Sequence, residues 1–365
     1  QENKLQIGPW YTLPDEYVID GEAMIRNLLK GIRESQTLGG DCRIAYTPFG
    51  WGQTAQLPQI YAGFGMDVCM VGKKVSKKRA PNSEFIWRSP DGSELITTRF
   101  GGWGRQNFYF KIHLSSLYGT KHEEDGWVYD VDKCGPFYHR ADAEFKDQDH
   151  FLLNKPGQWY PELINPETIE DAWDTLNESL LPDNRIMMNG CDYSAPQPLI
   201  HEMIEEVNKK DPDKKRHWIH TSITNYVELL RTRIDRSTLK VVEGELRDGP
   251  IEDVTGNALT TRLYIKQLNK KAQNLLIRQA EPICAMNAIT GLKPYAMPYF
   301  DRAWKYMLDS HPHDSINGVT QDKTANDVVN RLEQVIDISN TMTEEALREI
   351  TKNIDLSYLD KNEMA

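Results

Sequence analysis

The spacing of hydrophobic residues changes near Asp248-Gly249-Pro250, and this change divides the chain into two predicted regions. Before that point, short apolar runs at 43–46, 68–71, 85–87, 95–100, 186–188 and 218–221 alternate with stretches of helical spacing such as 21–29 and 199–207. Strands that alternate with helices are typical of a parallel sheet covered by helices. We therefore predict an α/β domain of the β/α barrel type over residues 1–248.

After the split, apolar residues recur at roughly helical intervals, with few strand-like runs among them. These residues are Leu259, Leu263, Leu268, Leu275, Ile283, Tyr306, Val329, Leu332 and Ile336. They predict an α-helical bundle domain over residues 249–365. The stretch 101–159 is rich in glycine, aspartate and aromatic residues without a clear period, which predicts a long functional loop of the first domain.

Composition and charge narrow the function classes. The 365 residues are 39% hydrophobic and 27% charged, as in an ordinary globular protein. No apolar run approaches the ~20 residues of a membrane span, and a net charge of -11 argues against nucleic acid as a partner. The N-terminus lacks the pattern of a signal peptide, and five cysteines do not suggest a disulfide framework, so a cytoplasmic location is expected.

Two clusters carry candidate chemistry. The apolar run 185–188 ends at Asn189-Gly190-Cys191-Asp192-Tyr193, and α/β barrels place acid/base residues where a parallel strand meets its loop. The second cluster contains His311, His313 and Asp314, and imidazole beside carboxylate can hold a divalent metal ion. These patterns nominate Asp192 as an acid/base and the 311–314 cluster as a candidate metal site.

Aromatic residues indicate a ring-shaped polar ligand. Trp51 and Trp103 lie in glycine-rich runs that follow predicted strands, and Tyr193 follows Asp192. Large rigid rings with a polar edge can stack on the C–H faces of a sugar. We predict that these three residues contact a carbohydrate.

Six stretches resemble the bacterial α-mannosidases of glycoside hydrolase family 38, in the order in which that family carries them. They are 4–11 (KLQIGPWY), 21–29 (GEAMIRNLL), 55–65 (AQLPQIYAGFG), 83–87 (SEFIW), 189–192 (NGCD) and 311–316 (HPHDSI). The resemblance implies a seven-stranded β/α barrel followed by a helical domain. It also implies retaining hydrolysis of a terminal mannose, with a Zn²⁺ ion that grips two of its hydroxyls.

The resemblance also assigns roles to single residues. Asp192 falls on the general acid/base of the family, in agreement with its place at a predicted strand end. His313 falls on the last zinc ligand of the family, and Asp314 falls on a neighbour that hydrogen-bonds the sugar.

The sequence departs from the family at two places. Phe49 stands where the family has an aspartate that is both nucleophile and zinc ligand, and phenylalanine can serve neither purpose. The His-X-His-X-Asp motif of the first family strand has no counterpart near Lys4. We therefore expect that the first strand is absent, lies in a missing N-terminal segment or comes from elsewhere, and that an open sheet edge finds a partner such as a second copy.

Three functions stay open on the sequence alone. The first is a zinc-assisted glycosidase that uses Asp192 and a relocated second carboxylate, with Asp15, Glu16, Asp125 or Asp130 as candidates. The second is a catalytically silent carbohydrate-binding relative. The third is a metal-dependent hydrolase of another bond, with His311, His313 and Asp314 as ligands. We favour the first, because a pure binding protein needs no proton donor at position 192.

Overall fold

The computed structural model describes residues 5–40, 42–47, 51–72, 75–101, 104–118, 159–181, 183–190, 197–248 and 258–357. The chain forms two compact units. The helical unit draws on 1–43, 51–54 and 251–365, and the sheet unit draws on 44–50 and 55–250. The N-terminal stretch thus belongs to the helical unit. The division into domains at 1–248 and 249–365 stays a prediction.

A five-stranded sheet lies in the sheet unit, with the strand order β1-β2-β4-β3-β5. The strands are β1 Ala45–Thr47, β2 Val68–Val71, β3 Glu84–Arg88, β4 Glu94–Arg99 and β5 Val241–Glu243. The predicted runs at 43–46, 68–71, 85–87 and 95–100 are confirmed as β1 to β4. The runs at 186–188 and 218–221 belong to no strand in the described residues, and β5 was not predicted.

The sheet is mixed, whereas the sequence pattern predicts a parallel one. β1, β2 and β4 run parallel, but β3 pairs with β4 in the antiparallel direction. The turn between β3 and β4 explains this direction, because Ser89 N donates to Ser93 O at 2.9 Å and Gly92 has a φ of 89°. Asp91 Oδ1 also accepts from Ser93 N at 3.0 Å. A short turn of this kind can connect only antiparallel neighbours.

Helices accompany the sheet within its unit. They are α2 Leu57–Gly63, α3 Ser115–Tyr118, α4 Pro166–Asp174, α5 Ile200–Lys210 and α6 Ile223–Arg233, with 3₁₀ turns at Gly104–Gln106, Pro161–Leu163 and Arg236–Thr238 and a π-helical turn at Tyr109–His113. The helix predicted at 199–207 is confirmed as α5. The prediction of a loop at 101–159 is wrong for residues 104–118, because Phe108 and Ile112 pack into a core with α4 and α5. Residues 119–158 lie outside the described part.

The helical unit contains α1 Gly21–Thr37, α7 Leu263–Leu275, α8 Glu281–Ile289, α9 Met297–Asp309, α10 His313–Asn317 and α11 Asp322–Lys352. A π-helical segment, Leu276–Ala280, joins α7 to α8. The predicted helix at 21–29 is confirmed as the first half of α1. Asp20 caps this helix, because its side chain accepts from Glu22 N. α11 buries Val328, Leu332 and Val335 at helical spacing.

The apolar row that predicts the helical region does not coincide with the buried face of α7. Leu263 is 55% exposed, and the buried face contains the polar residues Asn269 and Gln273. Together the two units make a mixed α/β fold with a five-stranded sheet and a helical C-terminal region. No helix in the described ranges combines the length and the apolar character that crossing a membrane requires.

Candidate active site

The N-terminal segment and the start of α10 meet inside the helical unit. Pro14 and Pro312 form an isolated antiparallel bridge. His313 N donates to Leu13 O at 3.0 Å, and His313 Nδ1 lies 2.9 Å from the same oxygen. Backbone and side chain of His313 are therefore both fixed against one carbonyl group.

This contact sets the tautomer of His313. A carbonyl oxygen can only accept, so Nδ1 carries a proton, and in the neutral ring the lone pair is on Nε2. Histidines that bind metals commonly donate their other ring N–H to a carbonyl in this way. The carboxylate of Asp314 lies beside the ring, with Oδ1 3.8 Å from Nε2. His313 is thus held in a form that can bind a cation through Nε2.

Trp51 packs against the same imidazole. The two ring centroids are 4.5 Å apart with an angle of 47° between the planes, and Trp51 is 8% exposed. The structure therefore brings together three of the residues nominated by the sequence, which are Trp51, His313 and Asp314. Most of the indole surface is covered by protein, so Trp51 also restrains the orientation of the His313 ring.

Two buried carboxylates lie in the segment that contacts His313. Asp15 and Glu16 are 1% and 6% exposed. Asp15 Oδ1 accepts from Tyr17 N at 3.0 Å, and Glu16 Oε2 accepts from Thr54 N at 2.9 Å. The Glu16 bond ties residues 51–54 to the N-terminal segment. As replacement catalytic carboxylates both stay predictions, and Asp125 and Asp130 lie outside the described residues.

His311 is buried and has a structural partner. Its Nε2 lies 2.9 Å from Asn269 Oδ1, and Asn269 Nδ2 donates to Val18 O at 3.1 Å, so His311 Nε2 is the donor. Complete burial lowers the pKa of His311 to about 3. The hypothesis that His311, His313 and Asp314 together bind a metal is wrong, because no group of three His, Cys, Asp or Glu residues in the described part could hold one. The described residues thus supply one fitting zinc ligand, His313, and no complete zinc site.

Asp192, Tyr193, Trp103 and Phe49 lie outside the described residues. The chain is anchored on both sides of residues 191–196. Asn107 Oδ1 accepts from Met188 N at 2.6 Å before this stretch, and Gln197 Nε2 lies 3.3 Å from His113 Nε2 after it.

The sequence favours a surface position for His113, which lies in the aromatic stretch 101–159, but the structure buries it. It is 5% exposed, in the π-helical turn, and its ring lies 5.0 Å from that of Tyr109. Burial lowers the pKa of His113 to about 4, and a hydrogen bond with Asn189 opposes this effect. The sequence favours a surface position for His122, His139 and His150 of the same stretch as well, and these three lie outside the described residues.

The buried His113 predicts a loss of stability in acid. Its folded pKa is about 4 against an ordinary 6.5, so the folded state binds fewer protons than the unfolded state between these values. The free energy of unfolding is therefore not reduced by His113 above pH 6.5, and it decreases as the pH falls toward 4. The wild type should lose about 2–3 kcal/mol more than His113→Gln over this range in urea titrations. His217→Gln, at an exposed histidine, should follow the wild type. If the stability of all three proteins fell equally with pH, the loss could not be due to His113.

Comparison with known proteins identifies the family. The model of the glycosyl hydrolases family 38 N-terminal domain matches residues 1–245. The chain belongs to this family. The model of the alpha mannosidase middle domain matches residues 256–350 of this family 38 chain.

Individual relatives agree with the family. A putative mannosylglycerate hydrolase of Halalkalibacterium halodurans is 27% identical over 369 aligned residues, which cover 97% of this chain and 35% of that protein. Alpha-mannosidase G of Dictyostelium discoideum is 33% identical over 94 residues, or 25% of this chain and 8% of that protein. The crystal structure of an alpha-mannosidase from Enterococcus faecalis V583 has a TM-score of 0.75 at 25% identity, with 98% of this chain and 35% of that chain covered. The chain thus spans about a third of the length of the first and third of these proteins.

Sequence reasoning missed the polar residues of α7 that contact α10 and the residue pair before it. Lys266 and Asn269 on α7 bond to Asn317 O and to the His311 ring, respectively. The available signal was a row of polar residues, Arg262, Lys266, Asn269 and Gln273, which recur at helical spacing. Such a row usually indicates a solvent-facing stripe, so it does not by itself reveal a buried contact.

Proposed function

We propose that this protein is a glycoside hydrolase that acts on α-mannosides or a related sugar, with Asp192 as general acid/base. The observation that carries the proposal is the family 38 match over residues 1–245. The seven-stranded barrel of the family is part of the proposal. The activity of the whole protein is also proposed, since its relatives are about three times longer.

The proposed roles follow from the chemistry of each side chain. Asp192 donates a proton to the glycosidic oxygen as the bond to the leaving group breaks. Asp314 accepts a hydrogen bond from a sugar hydroxyl, and Trp51, Trp103 and Tyr193 contact the ring. His313 would be one ligand of a Zn²⁺ ion. When bound, that ion would orient the hydroxyls of the sugar.

The second carboxylate decides the stereochemistry. With Phe49 at the nucleophile position, Asp15 and Glu16 are the described candidates, and both lie in the segment that contacts His313. A separation of about 5 Å from Asp192 would give retention, whereas about 6.5–9.5 Å would leave room for water and give inversion.

Phe49 also favours a second candidate function, a silent relative that binds a carbohydrate without hydrolysing it. A cytoplasmic location and self-association through an open sheet edge accompany both candidates as proposals. Neither candidate requires a nucleic acid or a membrane, in keeping with the net charge of -11.

The two candidates differ in their activity toward an aryl α-mannoside. If the protein is a glycosidase, the wild type should release the phenol in the presence of Zn²⁺, and chelation should stop turnover without unfolding the chain. Activity that appears only in Phe49→Asp would support the silent relative. Phe49→Asn is the matched control, because asparagine has nearly the size of aspartate but cannot attack the sugar. Silence in all three proteins would overturn the glycosidase proposal.

A further inference from the structure

One face of α7 contacts two separate segments of the helical unit through polar side chains. Toward its C-terminal end, Asn269 donates to Val18 O at 3.1 Å, and Gln273 Oε1 accepts from Asp20 N. These bonds hold the N-terminal segment that leads from Leu13 into α1. The same face continues toward the N-terminus of α7 with Lys266 and Arg262, at intervals of three or four residues.

The two cations contact the far end of α10. Lys266 Nζ donates to Asn317 O at 2.7 Å. Arg262 Nη1 donates to Gly318 O and to Thr320 O, both at 2.5 Å. The last carbonyls of a helix have no partner within the helix, and positive charge is favoured there. Lys266 and Arg262 thus supply both hydrogen bonds and charge where α10 ends.

The backbone at this contact is closely fitted. Arg262 has φ 43° and ψ 56°, a left-handed conformation that is uncommon for a residue with a side chain. Gly318 has a φ of 72°, and a Cβ built on it would lie 2.8 Å from Arg262 Cβ. Strained residues of this kind persist only where the surrounding structure fixes them.

α10 has only five residues and depends on its two ends. Val319 N donates to Asp314 O and Gly318 N donates to Ser315 O, both at 3.1 Å, which closes the helix in a Schellman arrangement. A helix this short is not stable by itself. Its first residue is fixed by Leu13 O, and its last carbonyls are fixed by α7.

We propose that Lys266 and Arg262 are positioning residues, which hold α10 at its C-terminal end and thereby orient His313 and Asp314 at its start. His313 and Asp314 are the first two residues of a five-residue helix, so a shift of its C-terminal end moves both side chains. The relevance of this positioning to sugar binding rests on the proposed function. The positioning itself concerns only contacts within the helical unit.

Nuclear magnetic resonance of the ¹⁵N-histidine-labelled chain tests the proposal without any ligand. The His313 signals report the Nδ1–H bond to Leu13 O, and His313→Gln assigns them. Lys266→Met, which removes the charge but keeps the length of the side chain, should displace the His313 signals. Lys266→Arg should restore them, because the new side chain can again donate to Asn317 O. Lys271→Met, at an exposed lysine of the same helix, should leave them unchanged.

Arg262→Asn is a second, independent variant. Asparagine tolerates the left-handed conformation, so the change removes the guanidinium without adding backbone strain. It should displace the same His313 signals. If Lys266→Met does not fold, Arg262→Asn still tests the proposal. Wild-type His313 signals in a folded Lys266→Met or Arg262→Asn protein would overturn the proposal.

Hydrolysis of an aryl α-mannoside then links the positioning to function. Lys266→Met should raise KM about tenfold, which is the size of effect typical of residues that orient a binding group, with a smaller change in kcat. If the wild type does not hydrolyse the substrate, the proposed function fails, but the His313 signals still decide whether Lys266 and Arg262 position α10.

Discussion

Replacing Gly31 with alanine should destabilise the helical unit by about 3 kcal/mol, although the same change inside a helix usually stabilises it. Gly31 lies in α1, and a Cβ at this position would be 2.2 Å from Pro9 O and 2.3 Å from Tyr11 N. Both are backbone atoms, so no side-chain rotation can relieve the overlap. The N-terminal segment would have to move away from α1, and Leu13 O, which fixes His313, lies two residues beyond Tyr11.

The urea midpoint of the helical unit measures this effect, and Gly21→Ala is the matched control. Gly21 belongs to the same helix, and a Cβ there would meet nothing within 4 Å. Gly21→Ala should therefore leave the midpoint unchanged or raise it slightly. A Gly31→Ala protein as stable as the wild type would contradict the close packing of residues 9–11 on α1.

Replacing Asp192 with asparagine should reduce hydrolysis of an alkyl α-mannoside about 10³-fold, because asparagine keeps the size of the side chain but has no acidic proton to transfer to the leaving group. The loss should be much smaller for a dinitrophenyl α-mannoside, whose leaving group departs without protonation. This dependence on the leaving group is specific to a general acid, since loss of substrate binding would affect both substrates alike.

Initial rates with the two substrates measure the effect, and Asp183→Asn is the control. Asp183 has a side chain that is 73% exposed, so its replacement should leave both rates unchanged. An equal loss for both leaving groups in Asp192→Asn would show that Asp192 is not the general acid.

Three of the four strands that the sequence predicts correctly, β2, β3 and β4, have buried side chains on both faces. All four residues of β2 are buried, so its run of apolar residues is continuous and easy to recognise. β5 escapes recognition because only Val242, its central residue, is buried. The direction of β3 depends on the turn at Ser89–Ser93, where proline, aspartate and glycine do indicate a hairpin. The spacing of apolar residues alone does not indicate whether β3 runs parallel or antiparallel to β4.

The candidate site is predictable in its residue types but not in its contacts. Motifs nominate Trp51 and His313, yet their packing requires the bridge between Pro14 and Pro312, which rests on backbone atoms far apart in the chain. Asn269 and Gln273, which make buried hydrogen bonds, cannot be recognised from the sequence either. They are polar residues on the core face of α7, and their hydrogen bonds go to remote segments that no local pattern can reveal.

The two buried histidines show the same limit. The sequence around His311 suggests a ligand, and the unpatterned stretch that contains His113 suggests a surface residue. In the structure both rings are buried, which keeps them neutral. His311 has a structural hydrogen bond with Asn269, and His113 has one with Gln197. Only the three-dimensional packing separates these residues from His313, which contacts Leu13 O and lies beside an exposed carboxylate.

The most direct measurement is the rate at which the wild-type chain, with Zn²⁺, hydrolyses an aryl α-mannoside beside the matching aryl β-mannoside. An α-mannosidase-like enzyme should release the phenol from the α-anomer alone, and Asp192→Asn should lose hydrolysis of the alkyl α-mannoside. Hydrolysis of both anomers at equal rates, or alkyl α-mannoside hydrolysis that survives in Asp192→Asn, would contradict the proposed glycosidase with Asp192 as its acid.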